Sequence, residues 1–105
     1  MRLSPVDPAM VYVTTALGYA HFLCGRYAEA AEWARRALGD RPNFLLAHRL
    51  LVASLGQLGD RAAANEALRS LFAVAPGYTV TAAAAHTALR EPALFEGLRK
   101  AGLPE

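Results

Sequence analysis

Three histidines, one cysteine, Ser54, Ser70 and a few acid–base pairs are the side chains of this 105-residue chain best able to do chemistry. Their spacing argues against it. His21, His48 and His86 are separated by 27 and 38 positions. Two ligands on one helix must instead lie three or four residues apart to share a metal. Packing or groove-lining imidazoles are the reading these spacings favour. Cys24 adjoins Gly25 and has only Arg26 nearby to draw out a thiolate, so it reads as a packing residue rather than a nucleophile. A lone cysteine can close no internal disulfide and anchor no metal cluster. Ser54 and Ser70 lack the glycine-flanked elbow that exposes a serine nucleophile. Gly56 and Gly59 are not followed by the Lys-Ser or Lys-Thr of a phosphate loop. Glu32 with Arg36, and Glu66 with Arg69, have the spacing of surface helix pairs, each worth about 0.2–0.5 kcal/mol. The expectation is no catalytic residue, no metal and no cofactor.

Bulk properties narrow the class further. Eleven Lys and Arg against nine Asp and Glu leave a net charge of +2, with the cations scattered. No strong field calls for nucleic acid or a membrane surface. Mean hydropathy of +0.19 is high for a small domain, whose surface is large relative to its core, and implies exposed apolar surface that meets a partner. Residues 8–25 and 70–89 are uncharged. Pro76-Gly77 cuts the second stretch, and the first holds Thr14, Thr15, Gly18 and His21, so both read as buried helix rather than membrane spans. No signal peptide is visible, and the single cysteine fits a reducing, cytoplasmic setting.

The elements that would position these residues are helices. There is no isoleucine and no alternating β-branched run, whereas alanine and leucine abound. Asp7-Pro8 reads as a cap and first turn, and Gly25 ends the first helix. A second helix is expected from about Tyr27 to Leu38, closed by Gly39 and Pro42. Asn43 would cap a third, ending near Leu58. Gly59-Asp60 would stop it and cap a fourth, running to Val74. Thr79 would cap a fifth, ending near Leu89. Glu91-Pro92 would open a sixth, closed by Gly102 and Pro104. Six helices with short turns imply antiparallel neighbours.

A regular beat runs through these helices. Pro8, Pro42 and Pro76 are evenly spaced, and Gly25 to Gly59 and Ala30 to Ala64 repeat the same interval. Such periods mark units that bury their apolar faces only by stacking. Within one unit, 11–44, stand Leu17-Gly18, Gly25, Tyr27, Ala30, Ala37-Leu38 and Pro42. The next, 45–78, carries Leu51, Gly59, Asp60, Ala64, Leu68, Leu71 and Pro76. This pattern resembles the tetratricopeptide repeat, departing from it at Val52 and Arg61. The resemblance implies an all-α fold, a right-handed superhelical array of antiparallel helix pairs. Its divisions would be 1–8, the end of a preceding repeat; 9–42 and 43–76, two full repeats; and 77–105, a degenerate capping pair. Gly18, Ala30 and Ala64 would sit where helices approach closely.

In that family the first helix of each pair lines a concave groove. Carried over, the groove positions are Tyr12, Thr15, Tyr19, Phe22, Arg49, Ala53 and Gln57, with Ala83 and Thr87 from the last pair. The family's Asn for clasping a terminal carboxylate is matched here by Tyr19 and Ala53, so that clamp is absent. Tyr12, Tyr19 and Phe22 would anchor an aromatic or aliphatic segment, with Arg49 meeting an acidic or carbonyl group. The alternative is that these aromatics pack beneath an upstream repeat.

The segments RLSPVDP and LRKAGLPE are similar to C-terminal repeat regions of bacterial multidomain proteins built on class III nucleotidyl cyclase or winged-helix domains. What this implies is a non-catalytic protein–protein interaction module from a larger regulatory protein. Its partner would be a protein or peptide segment, or another domain of the same chain. The alternative is a capping or self-associating segment, including a homodimer, with no separate ligand.

Overall fold

The computed structural model describes residues 9–85 and 91–105; these are all-helical, with no strand among them. The helices are α1 (Ala9–Leu23), α2 (Tyr27–Asp40), α3 (Leu45–Leu58), α4 (Arg61–Val74), α5 (Val80–Ala85) and α6 (Pro92–Ala101). The expected Asp7-Pro8 cap, Pro8, His86, Thr87 and the end of the fifth helix near Leu89 lie outside the described residues.

Local chemistry accounts for most boundaries. Gly25 and Gly59, 34 positions apart, both adopt φ of +77°, a left-handed turn that side chains resist. The same interval separates the first residues of α2 and α4, and also their last residues. The Asp60 carboxylate accepts from the Ala63 amide at 3.1 Å, the Thr79 hydroxyl from Ala82 at 3.0 Å and Glu91 from Ala93 at 3.3 Å. Pro92 opens α6, where a missing N–H costs nothing, and Gly102 closes it in the left-handed region. Two expectations need correction. Asn43 is not a cap: Phe44 holds that position, without a side-chain hydrogen bond. α2 also runs on to Asp40, through Gly39.

α3 is the hub. It packs on α1, α2, α4 and α6, and every residue from Ala47 to Gly56 is buried. Small side chains make this possible. Ala30, Ala34, Ala37, Ala47 and Ala53 show no exposed surface. A Cβ on Gly18 would lie 2.6 Å from Leu50 Cδ2. Between these alanines sit Phe22, Leu50, Val52, Leu71, Leu94 and Leu98, all essentially inaccessible.

The last pair departs from simple stacking. α6, rather than α5, lies along α3, and among the described helices α5 packs on α6. Gly56 and Gly97 permit this, because at each the space a Cβ would need is taken by the other helix's backbone. The segment after Gly102 then turns back under α5. The Val80 amide donates to the Pro104 carbonyl at 2.8 Å, and Leu103 is buried.

Candidate functional site

The groove positions expected from the sequence do not form one open surface. They divide into a core set, a set covered by α6 and a small accessible patch.

Thr15 and Phe22 belong to the core. Thr15 Oγ1 donates to the Val11 carbonyl one turn back at 2.7 Å, satisfying the hydroxyl inside its own helix. Phe22 is 1% exposed and meets the Tyr27 ring edge-on at 4.9 Å. Neither can contact a partner, which corrects their assignment as binding residues. The physical reason is that α1 is apolar on all sides, so its sequence does not reveal which face is buried.

Ala53 and Gln57 are covered by α6. Gln57 Nε2 donates to the Ala93 carbonyl at 2.7 Å, and its Oε1 accepts from Lys100 Nζ at 3.1 Å. Both ends of the amide are thus engaged within the chain. Ala83, the remaining described groove position, is fully buried.

Arg49 also lies inside, 3% exposed. Its Nε donates to the Tyr19 hydroxyl at 3.0 Å, and its guanidinium carbon stands 5.6 Å from the Tyr19 ring centre. The Tyr19 hydroxyl in turn donates to the Leu46 carbonyl at 3.0 Å. Burial raises the Tyr19 phenol above its ordinary titration range, and the Arg49 cation opposes the rise. No carboxylate among the described residues forms an ion pair with Arg49. Arg49 ties α3 to α1 through a phenol, and so is no free groove cation.

The accessible patch is Tyr12 with its neighbours. Tyr12 is 55% exposed and meets Phe44 edge-on at 5.3 Å. Arg41 stands 5.6 Å from both rings, and Leu46 is exposed nearby in sequence on the first turn of α3. Arg41 and Phe44 were not foreseen. They flank Pro42-Asn43 in the turn between α2 and α3, where the Arg-Pro-Asn-Phe run is the signal in the sequence.

The second accessible feature is the outward face of α1. Tyr12, Val13, Ala16, Leu17, Ala20 and Leu23 are all exposed, and the helix has no acidic or basic residue apart from His21. It is bordered by a stack in which His21 lies 6.1 Å from Trp33, with Arg36 4.9 Å from the same indole.

The remaining candidates for chemistry stand apart. His48 is buried, with Nε2 2.6 Å from the Pro42 carbonyl and no partner at Nδ1. Cys24 is exposed just past the end of α1, which corrects its reading as a packing residue. Glu32 pairs with Arg35 at 3.3 Å, leaving Arg36 to the indole. Among the described residues no three metal-ligating groups cluster. A cleft of about 180 Å³ between α2 and α4 is floored by Leu51 and Leu55 and rimmed by Arg35 and Glu66. No described helix is long and apolar enough to cross a membrane.

The chain matches no protein-family model, no curated protein and no solved structure.

Proposed function

We propose that this chain is a non-catalytic protein–protein interaction module of the tetratricopeptide type. The observation that carries the reading is the exposed face of α1, apolar along the whole helix and continuous with Tyr12, Phe44 and Arg41. A helix apolar all round is one that other protein is meant to cover. Rigid aromatics beside an arginine are the residue types that dominate binding energy at protein interfaces. The equal spacing of the Gly25 and Gly59 turns, and of α2 and α4, supports the repeat assignment and the superhelical array it implies.

The partner in this reading is a protein or peptide segment, or another domain of a larger bacterial regulatory protein. The likeness of RLSPVDP and LRKAGLPE to cyclase-linked and regulator-linked repeat regions supports that parentage. Cytoplasmic placement is part of the same proposal. Of the groove residues named from sequence, Tyr12 keeps its role as an anchor. Tyr19 and Arg49 join α1 to α3 through the bond from Arg49 Nε to the Tyr19 hydroxyl.

The test is retention of protein from a lysate of the source bacterium on immobilised chain. Tyr12→Ala with Arg41→Ala should lower retention of the bound species at least tenfold, with helicity by circular dichroism unchanged. Equal retention by the variant, or none by the parent chain, overturns the reading. A nucleotidyl cyclase or hydrolase assay of the isolated chain should show no turnover.

A further inference from the structure

Shifting α1 by the 34 positions that separate Gly25 from Gly59 lays it on α3. Val13, Ala16, Leu17 and Ala20 then match Ala47, Leu50, Leu51 and Ser54. The first four are exposed and the second four are buried. Tyr12 and Leu23 match Leu46, which is exposed, and Gln57, which is half-buried. The two faces share an outline, a central strip between two rim residues. They differ in that only the strip on α3 is covered.

Much of that cover comes from the helix pair before α3, which packs on α2 and, less extensively, on α1. The buried residues of α2 are all alanines: Ala30, Ala31, Ala34 and Ala37. The first three share a core with Leu50 and Leu51, and Ala37 clusters with Ala47. Small side chains on one helix let the axes approach until the leucines of the other fill the space between. The beat also continues ahead of α1. Pro42 and Pro76 each stand two positions after the last residue of a second helix, Asp40 and Val74. Pro8 keeps the interval, so in the sequence it holds the place that follows a second helix.

We propose that the outer side of α1 seats a preceding helix pair of the same polypeptide, whose second helix turns a small-residue face to Val13, Ala16, Leu17 and Ala20. The inference rests on reading the α1 face as an interaction surface and names its occupant. Tyr12 and Leu23 stay at the rim, as Leu46 and Gln57 do. The patch that Tyr12 forms with Phe44 and Arg41 thus remains open to a separate partner.

The chain can supply such a pair itself. A second copy of residues 9–42 inserted between Pro8 and Ala9 of the 105-residue chain keeps the register. One α1 is then inner, behind the duplicated α2, and the other is outer and bare. Leu17→Glu buries a charge only in the inner copy. There it should lower the folding equilibrium constant by about tenfold or more, against less than about twofold in the outer copy or in the 105-residue chain. Urea unfolding followed by circular dichroism reads both. The comparison is repeated with Val13→Ala and Ala16→Leu in the inner copy, which give it the side chains of Ala47 and Leu50. Equal effects of Leu17→Glu in inner and outer copies, in both backgrounds, overturn the proposal. In the native gene the reading frame should continue upstream of the Met1 codon through at least the 34 codons of one unit, and an in-frame stop nearer than that also overturns it. Retention of lysate protein that depends on Tyr12 and Arg41 would then leave the broader interaction reading standing.

Discussion

Gly56 of α3 and Gly97 of α6 meet backbone to backbone, with no side chain between them. A Cβ on Gly56 would fall 2.9 Å from the Gly97 carbonyl carbon and 3.1 Å from the Ala101 amide nitrogen. A Cβ on Gly97 would crowd the Ala53 backbone in the same way. Backbone cannot rotate aside as a side chain can, so the helices themselves would have to separate. The crossing seats Leu94 and Leu98 in the core and covers the expected groove positions Ala53 and Gln57.

Gly97→Ala and Gly56→Ala should each destabilise the fold by about 1–3 kcal/mol, since overpacking outweighs alanine's helix preference. Gly39→Ala is the control. Gly39 lies inside α2, and nothing stands within 4 Å of its would-be Cβ. That change should stabilise by up to about 1 kcal/mol. Urea unfolding of the three variants measures both signs.

Tyr19 and Arg49 should behave as one unit. Tyr19→Phe strips the acceptor from Arg49 Nε and the donor from the Leu46 carbonyl, at a cost of about 1–3 kcal/mol. Arg49→Met in that background should recover part of the loss, because the buried cation leaves with its partner. A double-mutant cycle reads the coupling. Additive losses would show that the two residues do not interact.

The same phenol predicts an alkaline limit. Its titration is raised in the folded state, so the native form holds this proton more tightly than the unfolded one. Its contribution is fully present below the ordinary tyrosine pKa of about 10 and is lost as pH rises through the folded value. Stability should fall as pH rises from about 10 toward the folded value, and less steeply in Tyr19→Phe. Urea midpoints measured on either side of it decide the matter.

Ser54 is fully buried in α3, and its hydroxyl has no hydrogen-bond partner. Ser54→Ala removes that group at nearly constant volume and should raise stability by about 1 kcal/mol. A loss of stability on urea unfolding would reveal a partner for the hydroxyl.

Phe22→Ala and Tyr12→Ala separate core from surface on one helix. The first empties a site with 1% exposure and should cost about 3–5 kcal/mol. The second trims a ring 55% exposed and should cost about 1 kcal/mol or less. Thermal melts distinguish the two directly.

Local signals were legible wherever a residue acts on its own backbone. Gly25, Gly59, Asp60, Thr79, Pro92 and Gly102 announced the turns and caps they make, because capping and left-handed φ depend on neighbours within a few positions. Gly18 and Ala30 announced close packing through the repeat pattern. Of the described groove positions, Tyr12 alone is exposed. Thr15, Phe22 and Arg49 were assigned to a surface and lie inside. On α1 an apolar residue follows in almost every direction, so periodicity names no buried face.

The sequence by itself determined a chain of six helices, the constant interval between corresponding turns, and an excess of apolar surface. Each follows from composition and from interactions spanning one or two turns. Tertiary structure alone decided that α6 lies along α3, that Arg49 pairs with a tyrosine, and that no described helix covers the outer side of α1. Those outcomes depend on which small residues face one another across the chain. Gly56 and Gly97 are 41 positions apart, and only the packed fold brings their backbones together.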